Sequence, residues 1–155
     1  DYKDSESYVE QLQGDHCLKE FVKRYNATME FVKSTNSITT GNKITEDSFD
    51  EDETGVATLD SSATISINNP SNKNYRTKIT SVKYLLESMD KDTWFSEICA
   101  VLGGMIPEMS NEEIVKCFDY ISKQESVTYA KKYNITSKIS RGKMEITIQY
   151  TGDDV

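Results

Sequence analysis

A run of acidic residues in the first third of the chain sets the strongest limit on how this sequence can fold. Glu46–Glu53 contains six acids among eight residues. The run lies inside a polar stretch, residues 34–55, that shows neither the helical nor the strand period of apolar residues. Burying so many charges is costly, and ordering such a segment gains little. We therefore expect a long, flexible acidic loop that faces either water or a partner.

The chain is long enough for one domain with its own core. It has 155 residues, and 9 Tyr, 5 Phe and 1 Trp argue against general disorder. The helix predicted before the acidic run needs later elements to cover its apolar face, because a lone helix is marginal in water. We therefore predict a single α+β domain over residues 1–155, with residues 34–55 as a loop inside it.

The charge balance limits the partners that the chain can bind. The net charge is −8, and residues 1–70 hold 14 acidic and 6 basic side chains, whereas residues 126–155 hold 3 and 5. Each phosphate contact needs a cation, and the overall field repels polyanions. Nucleic acid is therefore unlikely to bind except through the C-terminal residues. No apolar run approaches the roughly 20 residues of a membrane span, so no membrane association is expected.

Apolar spacing predicts a long N-terminal helix and, after the acidic run, a strand. Between Asp15 and Lys33 one helical face collects Leu18, Phe21, Val22, Tyr25, Met29 and Val32. From Ala57 to Ile67 every second residue is small or apolar, which is the period of a half-buried strand. These two elements flank the acidic run.

Three short helices and a hairpin are predicted in the second half. The first helix is indicated by the spacing of Val82, Leu85, Leu86 and Met89. The second runs from Phe95 to Ile106 before Pro107, and the third begins at a capping box formed by Ser110 and Glu113. Residues 129–139 and 144–150 alternate around a turn, although residues 127–132 would also fit an extension of the third helix. The fold class is thus α+β, with a small antiparallel sheet covered on one face by helices.

Few residues suggest catalysis or metal binding. His16 adjoins Cys17, but consecutive helical residues point about 100° apart and would not face each other. We expect His16 to be exposed in the first helical turn and Cys17 to be half-buried. Cys99 and Cys117 lie on apolar helical faces, where cysteine packs as a small hydrophobe. The sequence has neither the paired-cysteine zinc spacing nor a phosphate-binding glycine motif, so we predict no cofactor, no metal site and no enzyme activity.

The acidic run is the candidate partner-binding site. Phe49, the single aromatic residue among the acids, suits an anchor in a partner's groove, or alternatively pins the loop to its own domain. A basic partner would be attracted by Asp50, Glu51, Asp52 and Glu53. A calcium loop starting at Asp50 fails, because its position 12 is Ser61 rather than Glu. Ser48 precedes an acidic sequence and is a candidate phosphorylation site, where added charge would favour capture by a basic partner.

Three functions follow from these patterns. The first is a non-catalytic regulatory or adaptor protein that binds another protein through the acidic run, the long helix or both. The second is a winged-helix-like nucleic-acid-binding regulator whose basic hairpin carries Lys131, Lys132, Lys138, Arg141 and Lys143. The third is an enzyme whose carboxylates meet only in the fold. A deep pocket holding two acids, or an acid with a tyrosine, would favour that third function, and a flat or convex acid cluster would count against it.

Cysteine content and glycosylation triplets bear on the compartment. Three cysteines leave one thiol over in any set of internal disulfides, which favours a reducing compartment. The prediction is an intracellular protein, cytoplasmic or nuclear. Asn26 and Asn134 each begin a glycosylation triplet, so a secreted protein is the alternative.

Overall fold

Three helices and six strands make up the described part of the chain, which confirms the predicted α+β class. The structure is a computed structural model that describes residues 16–37, 42–49, 55–59, 61–68, 79–87 and 93–152. The helices are α1 (Leu18–Asn36), α2 (Thr93–Met105) and α3 (Asn111–Ser122). The strands are β1 (Val56–Thr58), β2 (Thr64–Asn68), β3 (Ser81–Leu86), β4 (Val127–Tyr129), β5 (Tyr133–Ser140) and β6 (Lys143–Tyr150). That residues 1–155 form a single domain stays a prediction.

The strands form one antiparallel sheet in the order β1-β2-β3-β6-β5-β4. Along β3, Val82 and Tyr84 are fully buried while Lys83 is exposed, because successive side chains point to opposite faces. The buried face shares one hydrophobic core with the helices. On the opposite face Lys83 pairs with Glu145 at 3.1 Å. The helices therefore cover one face of the sheet, as the sequence predicted.

Helices α1 and α2 approach closely because Gly103 has no side chain. A Cβ atom at Gly103 would overlap the hydroxyl of Thr28 on α1. Arg24 of α1 donates from Nε and Nη2 to the carbonyl oxygen of Gly104, at 2.9 and 2.7 Å. A cation at this point complements the negative end of the α2 dipole. The two glycines thus bring the helices together, and α2 continues through them to Met105.

Residues 81–86 form strand β3, so the prediction of a short helix at residues 82–89 is wrong. Val82, Tyr84 and Leu86 are buried in alternation, which is the strand period. A short apolar run can satisfy the helical and the strand period together. Here pairing with β2 and β6 on both sides decides the outcome.

The single strand predicted from Ala57 to Ile67 is instead a hairpin of β1 and β2. The amide of Leu59 donates to the carbonyl of Ala63 at 2.8 Å, which closes the turn. Ser62 lies within this turn with a φ of 71°. Serine favours turns because its hydroxyl can bond to nearby backbone, and two serines follow each other here. The alternation of buried and exposed side chains continues after the turn, so Ala57 lies opposite Ile65 on the paired strand.

The C-terminal hairpin and the capping box are confirmed, although the first strand of the hairpin begins at Tyr133 rather than at residue 129, because residues 130–132 form a turn. Arg141 and Gly142 connect β5 to β6 with φ values of 54° and 77°, as two-residue hairpin turns require. The amide of Ser110 donates to Glu113 at 3.0 Å, and the amide of Glu113 donates back to Ser110 at 3.2 Å. Residues 127–129 extend the sheet as β4 rather than lengthening α3. The winged-helix order is not confirmed, because β3 occupies the place of its first helix.

Candidate functional site

The chain that leads into the acidic run is fixed to α1. Asn26 holds Ile44 by two hydrogen bonds of 2.8 Å, donating from Nδ2 to the carbonyl oxygen and accepting from the amide at Oδ1. We call this pair of bonds the Asn26 clamp. Ile44 itself is buried. Residues 34–36 belong to α1 and residues 42–49 are held by these contacts, so the prediction of a flexible loop over residues 34–55 is wrong for these two segments. Residues 38–41 and 50–54 lie outside the described residues.

Phe49 is buried against its own domain. Its side chain is 2% exposed, and its ring meets Phe21 edge-on with centroids 6.4 Å apart. Burying a phenyl ring stabilises the fold by roughly 1.5–3 kcal/mol, and edge-on packing adds to this. Of its two predicted roles, this position fits the one that pins the segment in place. The prediction that Phe49 is a partner-binding anchor is therefore corrected.

The first acids of the run face solvent. Glu46 and Asp47 are exposed in a 3₁₀ turn, Glu46–Ser48, that Thr45 and Ser48 cap reciprocally. Ser48 is exposed, and its Oγ accepts from the amide of Thr45 at 3.0 Å. Its phosphorylation stays a prediction. The remaining predicted partner contacts lie outside the described residues: Asp50, Glu51, Asp52 and Glu53.

A cleft of about 160 Å³ lies beside this segment. One wall comes from residues 42–48, another from the end of β1, and Glu97 reaches it from α2. The lining consists of Asn42, Lys43, Ile44, Ser48, Thr58, Leu59 and Glu97. Glu97 lines the cleft from its inner side and is only 1% exposed. We call this site the Glu97 cleft.

Two hydroxyl groups hold the Glu97 carboxylate in place. Tyr84 Oη donates to Oε1 at 2.6 Å, and Ser61 Oγ donates to the same oxygen at 2.7 Å. Burial, and then the charge of Glu97, raise the pKa of Tyr84 far above its usual value of 10.0. Tyr84 therefore stays protonated and acts as a donor. Tyr84 does not line the cleft, so the acid and the tyrosine form a buried pair rather than the pocket holding both that the enzyme hypothesis requires.

The sequence did carry one signal for Glu97. It is the only charged residue among the 13 of α2. If the single acid of such a largely apolar helix pointed into water, neighbouring apolar side chains would be exposed with it. The acid is therefore expected to face the core. Its partners Ser61 and Tyr84 lie 36 and 13 positions away, and no local pattern joins them.

His16 is buried, which corrects its predicted exposure. It lies just before α1, 3% exposed, with its ring stacked on Tyr150 at a centroid distance of 4.1 Å. Its Nε2 lies 2.8 Å from Tyr133 Oη, which in turn donates to Glu108 at 3.0 Å. Because the phenol has one hydrogen and Glu108 receives it, His16 is the donor. Burial, and then the charge of Glu108, raise the pKa of Tyr133.

The basic hairpin does not gather its cations in one patch. Lys131 and Lys132 precede β5, whereas Arg141 and Lys143 follow it, about 25 Å away along an extended strand. Lys138 lies on the open face of the sheet, opposite Glu145. Lys143 pairs with Glu87 at 3.0 Å. The hairpin charge is thus spread out and partly offset by acids of the same chain.

The cysteines pack in the core. Cys17, Cys99 and Cys117 are free and buried, so Cys17 is more buried than predicted. Burial, with a contribution from Cys117, raises the pKa of Cys99 to about 12, and burial raises that of Cys117 to about 11. Across the described residues, no group of three or more His, Cys, Asp or Glu side chains could hold a metal ion.

None of the helices that the structure describes is both long and apolar enough to cross a membrane. Comparison of the chain with protein-family models, curated proteins and solved structures found no match.

Proposed function

We propose that this protein is a non-catalytic regulator or adaptor. Its acidic run recruits another protein by binding a basic surface of that partner. The observation that carries the proposal is the attachment of residues 42–49 to α1. Asn26 clamps Ile44 and Phe49 is buried, while Glu46 and Asp47 stay exposed. The acidic run therefore starts from a fixed base with its first charges in solvent.

This anchoring favours a docking surface over a passive spacer. Ordering a segment costs conformational entropy, and a spacer has no need of buried anchors or paired hydrogen bonds. In a docking surface the same contacts set the positions of the charges before the partner arrives. Less entropy is then lost on binding, which increases affinity.

Charge supplies the partner chemistry. The chain carries a net charge of −8, and residues 1–70, with 14 acidic and 6 basic side chains, account for all of it. A partner with a basic surface is attracted over about 10 Å at moderate salt, which raises the association rate. The interaction should therefore weaken as salt is added.

The two other functions have less support. Nucleic-acid binding through the hairpin would need cations on one surface, and Lys131 and Arg141 stand at opposite ends of β5. An enzyme would draw on Glu97 and Tyr84, but Tyr84 stays protonated and donates its hydrogen to Glu97. That pair suits ligand binding better than proton abstraction by the phenol.

An intracellular location is part of the proposal. The three cysteines are free and buried, as a reducing compartment favours. Both amide atoms of Asn26 bond to Ile44, so a glycan on Nδ2 would disturb the clamp. Asn134 is exposed on β5 and is the more accessible of the two triplets.

The test compares two charge-neutralised variants in a pull-down from cell extract with mass spectrometry. One variant carries Glu46→Gln and Asp47→Asn in the acidic run. The matched control carries Glu112→Gln and Glu125→Gln, which remove the same charge from exposed positions elsewhere. Substitution is preferable to deleting the loop, because deletion would remove the buried side chains of Ile44 and Phe49.

We expect the wild type and the control to recover a basic partner. As salt is raised, the acidic-run variant should lose this partner at a lower salt concentration than the wild type or the control. Equal recovery by both variants across the salt series would refute the proposed role of the acidic run.

A further inference from the structure

One edge of the sheet is open beside the acidic run. β1 is the outermost strand on this side, and among the described residues it pairs only with β2. An outermost strand presents main-chain donors and acceptors on the side that has no neighbour. An extended segment of another protein can join the sheet at such an edge.

The hydrogen bonds of the hairpin show which residues of β1 face outward. The amide of Leu59 donates to the carbonyl of Ala63 across the hairpin, at 2.8 Å. In an antiparallel pair, residues that bond across alternate with residues that do not. Leu59 and Ala57 therefore direct their main-chain groups to the paired strand. Val56 and Thr58 direct their N–H and C=O groups outward.

The opposite edge of the sheet is covered where β4 ends. There the amide of Ile139 on β5 donates to Gln124 Oε1, and Ser137 Oγ donates to the carbonyl of Ile121 in α3, both at 2.8 Å. Such cover keeps a strand edge from joining other chains. The described residues provide no comparable cover for β1, which also has neither lysine nor proline to block pairing.

Space is present beside β1. Thr58 is exposed and lines the Glu97 cleft, and another wall of this cleft includes Lys43 and Ser48. The anchored residues 42–49 thus stand off from the strand and make no main-chain hydrogen bond with it. On its outer side Thr58 borders the cleft rather than another strand.

Acidic residues determine which segment is attracted to this edge. The turn Glu46–Ser48 lies beside β1, with Glu46 and Asp47 exposed. In the sequence, the four acids at positions 50–53 are separated from β1 by only Thr54 and Gly55. Two copies of this chain that met at the edge would bring like charges together, which is unfavourable, whereas a basic segment is attracted.

We propose that an extended basic segment of the partner adds to β1 as a seventh strand of the sheet. This inference rests on the proposed function, because it specifies how the partner of the acidic run is held. The main-chain groups of Val56 and Thr58 bond to the segment, and its basic side chains are attracted to Glu46 and Asp47. In this mode of recognition, main-chain bonds supply affinity and side chains supply selectivity.

The test is a titration of fluorescently labelled peptides of about seven residues with the full chain, followed by fluorescence anisotropy. The basic peptide alternates lysine with valine, which suits an extended strand. One control peptide has the same sequence with every main-chain amide N-methylated, so it keeps the charge but has no main-chain donors. The other control peptide has glutamate in place of lysine.

We expect the basic peptide to bind with a dissociation constant of about 0.1 mM or tighter, and each control peptide to bind at least about tenfold more weakly. Equal binding of the N-methylated peptide would overturn the added strand, because charge alone would then hold the peptide. Equal or preferred binding of the acidic peptide would overturn the basic occupant. Failure of the basic peptide to bind at this level would overturn the proposal as well.

Two proline variants tie the binding to one edge. Thr58→Pro removes an outward N–H from β1 and leaves the main-chain groups that bond to β2, and proline is tolerated at such edge positions. Thr128→Pro makes the same change on β4, the outermost strand at the opposite edge, where Thr128 likewise faces outward. The affinity for the basic peptide should fall at least about tenfold in Thr58→Pro and change less than about threefold in Thr128→Pro. A folded Thr58→Pro protein that keeps the wild-type affinity refutes the site.

The N-methylated peptide tests the same edge on the wild-type protein, so the result does not depend on the folding of Thr58→Pro. The inference and the proposed function also fail separately. In the pull-down, unchanged recovery of the partner by Thr58→Pro, together with its loss from the acidic-run variant, rejects the added strand alone. Equal recovery by the acidic-run variant and its control rejects the proposed function, and the peptide titration then decides whether the edge binds a basic strand.

Discussion

Removing the Asn26 clamp should loosen the start of the acidic run and lower global stability. Asn26→Ala deletes two hydrogen bonds of 2.8 Å and leaves the amide and carbonyl of Ile44 without these partners. A net loss of about 0.5–1.5 kcal/mol per bond gives a cost of about 1–3 kcal/mol. Alanine recovers up to about 0.7 kcal/mol through its higher helix propensity.

Asn36→Ala is the matched control for this prediction. Asn36 also lies in α1, but its Nδ2 donates to the carbonyl of Val32 within the same helix, at 3.0 Å. Asn36 is the last residue of α1, where alanine gains less helix propensity than at position 26, so the difference between the two variants is a lower limit for the contribution of the clamp. We expect Asn26→Ala to lie about 1–2 kcal/mol below Asn36→Ala in free energy of unfolding, measured with urea.

Hydrogen exchange gives a local readout of the same change. The amide of Ile44 should lose protection in Asn26→Ala, because its acceptor is gone, whereas amides of α2 should keep theirs. If the two variants unfold with equal free energies and Ile44 stays protected, the clamp does not hold the segment.

Two further predictions use the thiols and the α3 cap. At about pH 8, Cys99 and Cys117 should not react with a disulfide reagent until the protein unfolds. Burial raises the pKa of Cys99 to about 12 and that of Cys117 to about 11, so very little of the reactive thiolate is present. Labelling within minutes in native buffer would contradict this prediction. Chiefly the hydrogen bond from the amide of Ser110 lowers the pKa of Glu113 below 4.5. The ionised Glu113 carboxylate therefore stabilises the fold above pH 4.5, and this contribution is lost as the pH falls through the folded-state pKa. Glu113→Gln should therefore flatten the fall in unfolding free energy below about pH 5, and an unchanged acid profile would refute the role of the cap.

Long patterns and patterns with their own end signals were predictable from the sequence. The apolar face of α1, from Leu18 to Val32, spans about four turns, so one misplaced residue would not change its assignment. The α3 cap depends on only two residues, but Ser110 and Glu113 satisfy each other's backbone donors, so the signal is complete locally. The β5–β6 turn is similar, since Arg141 and Gly142 supply the required backbone angles.

Short apolar runs were not predictable, because their structure depends on distant neighbours. Residues 81–86 fit two periods, and pairing with β2, about twenty positions away, and with β6, about sixty positions away, selects the strand. The candidate sites have the same limitation. His16 meets Tyr133 across 117 positions, and Glu97 meets Ser61 across 36. Spacing along the chain carries no information about such pairs, so the sequence alone placed His16 in solvent and left Glu97 unnoticed.

The position of β6 has a consequence for how the chain is made. β6 lies between β3 and β5, although it follows every other described strand in sequence. Until residues 143–150 leave the ribosome, β3 keeps one side of its backbone unpaired, and such an edge can join another chain. Because the β3–β6 pairing spans many residues, it also forms slowly. A nascent chain of this protein therefore carries an open six-residue strand while residues 87–150 are made, and a chaperone that shields extended segments would raise its yield.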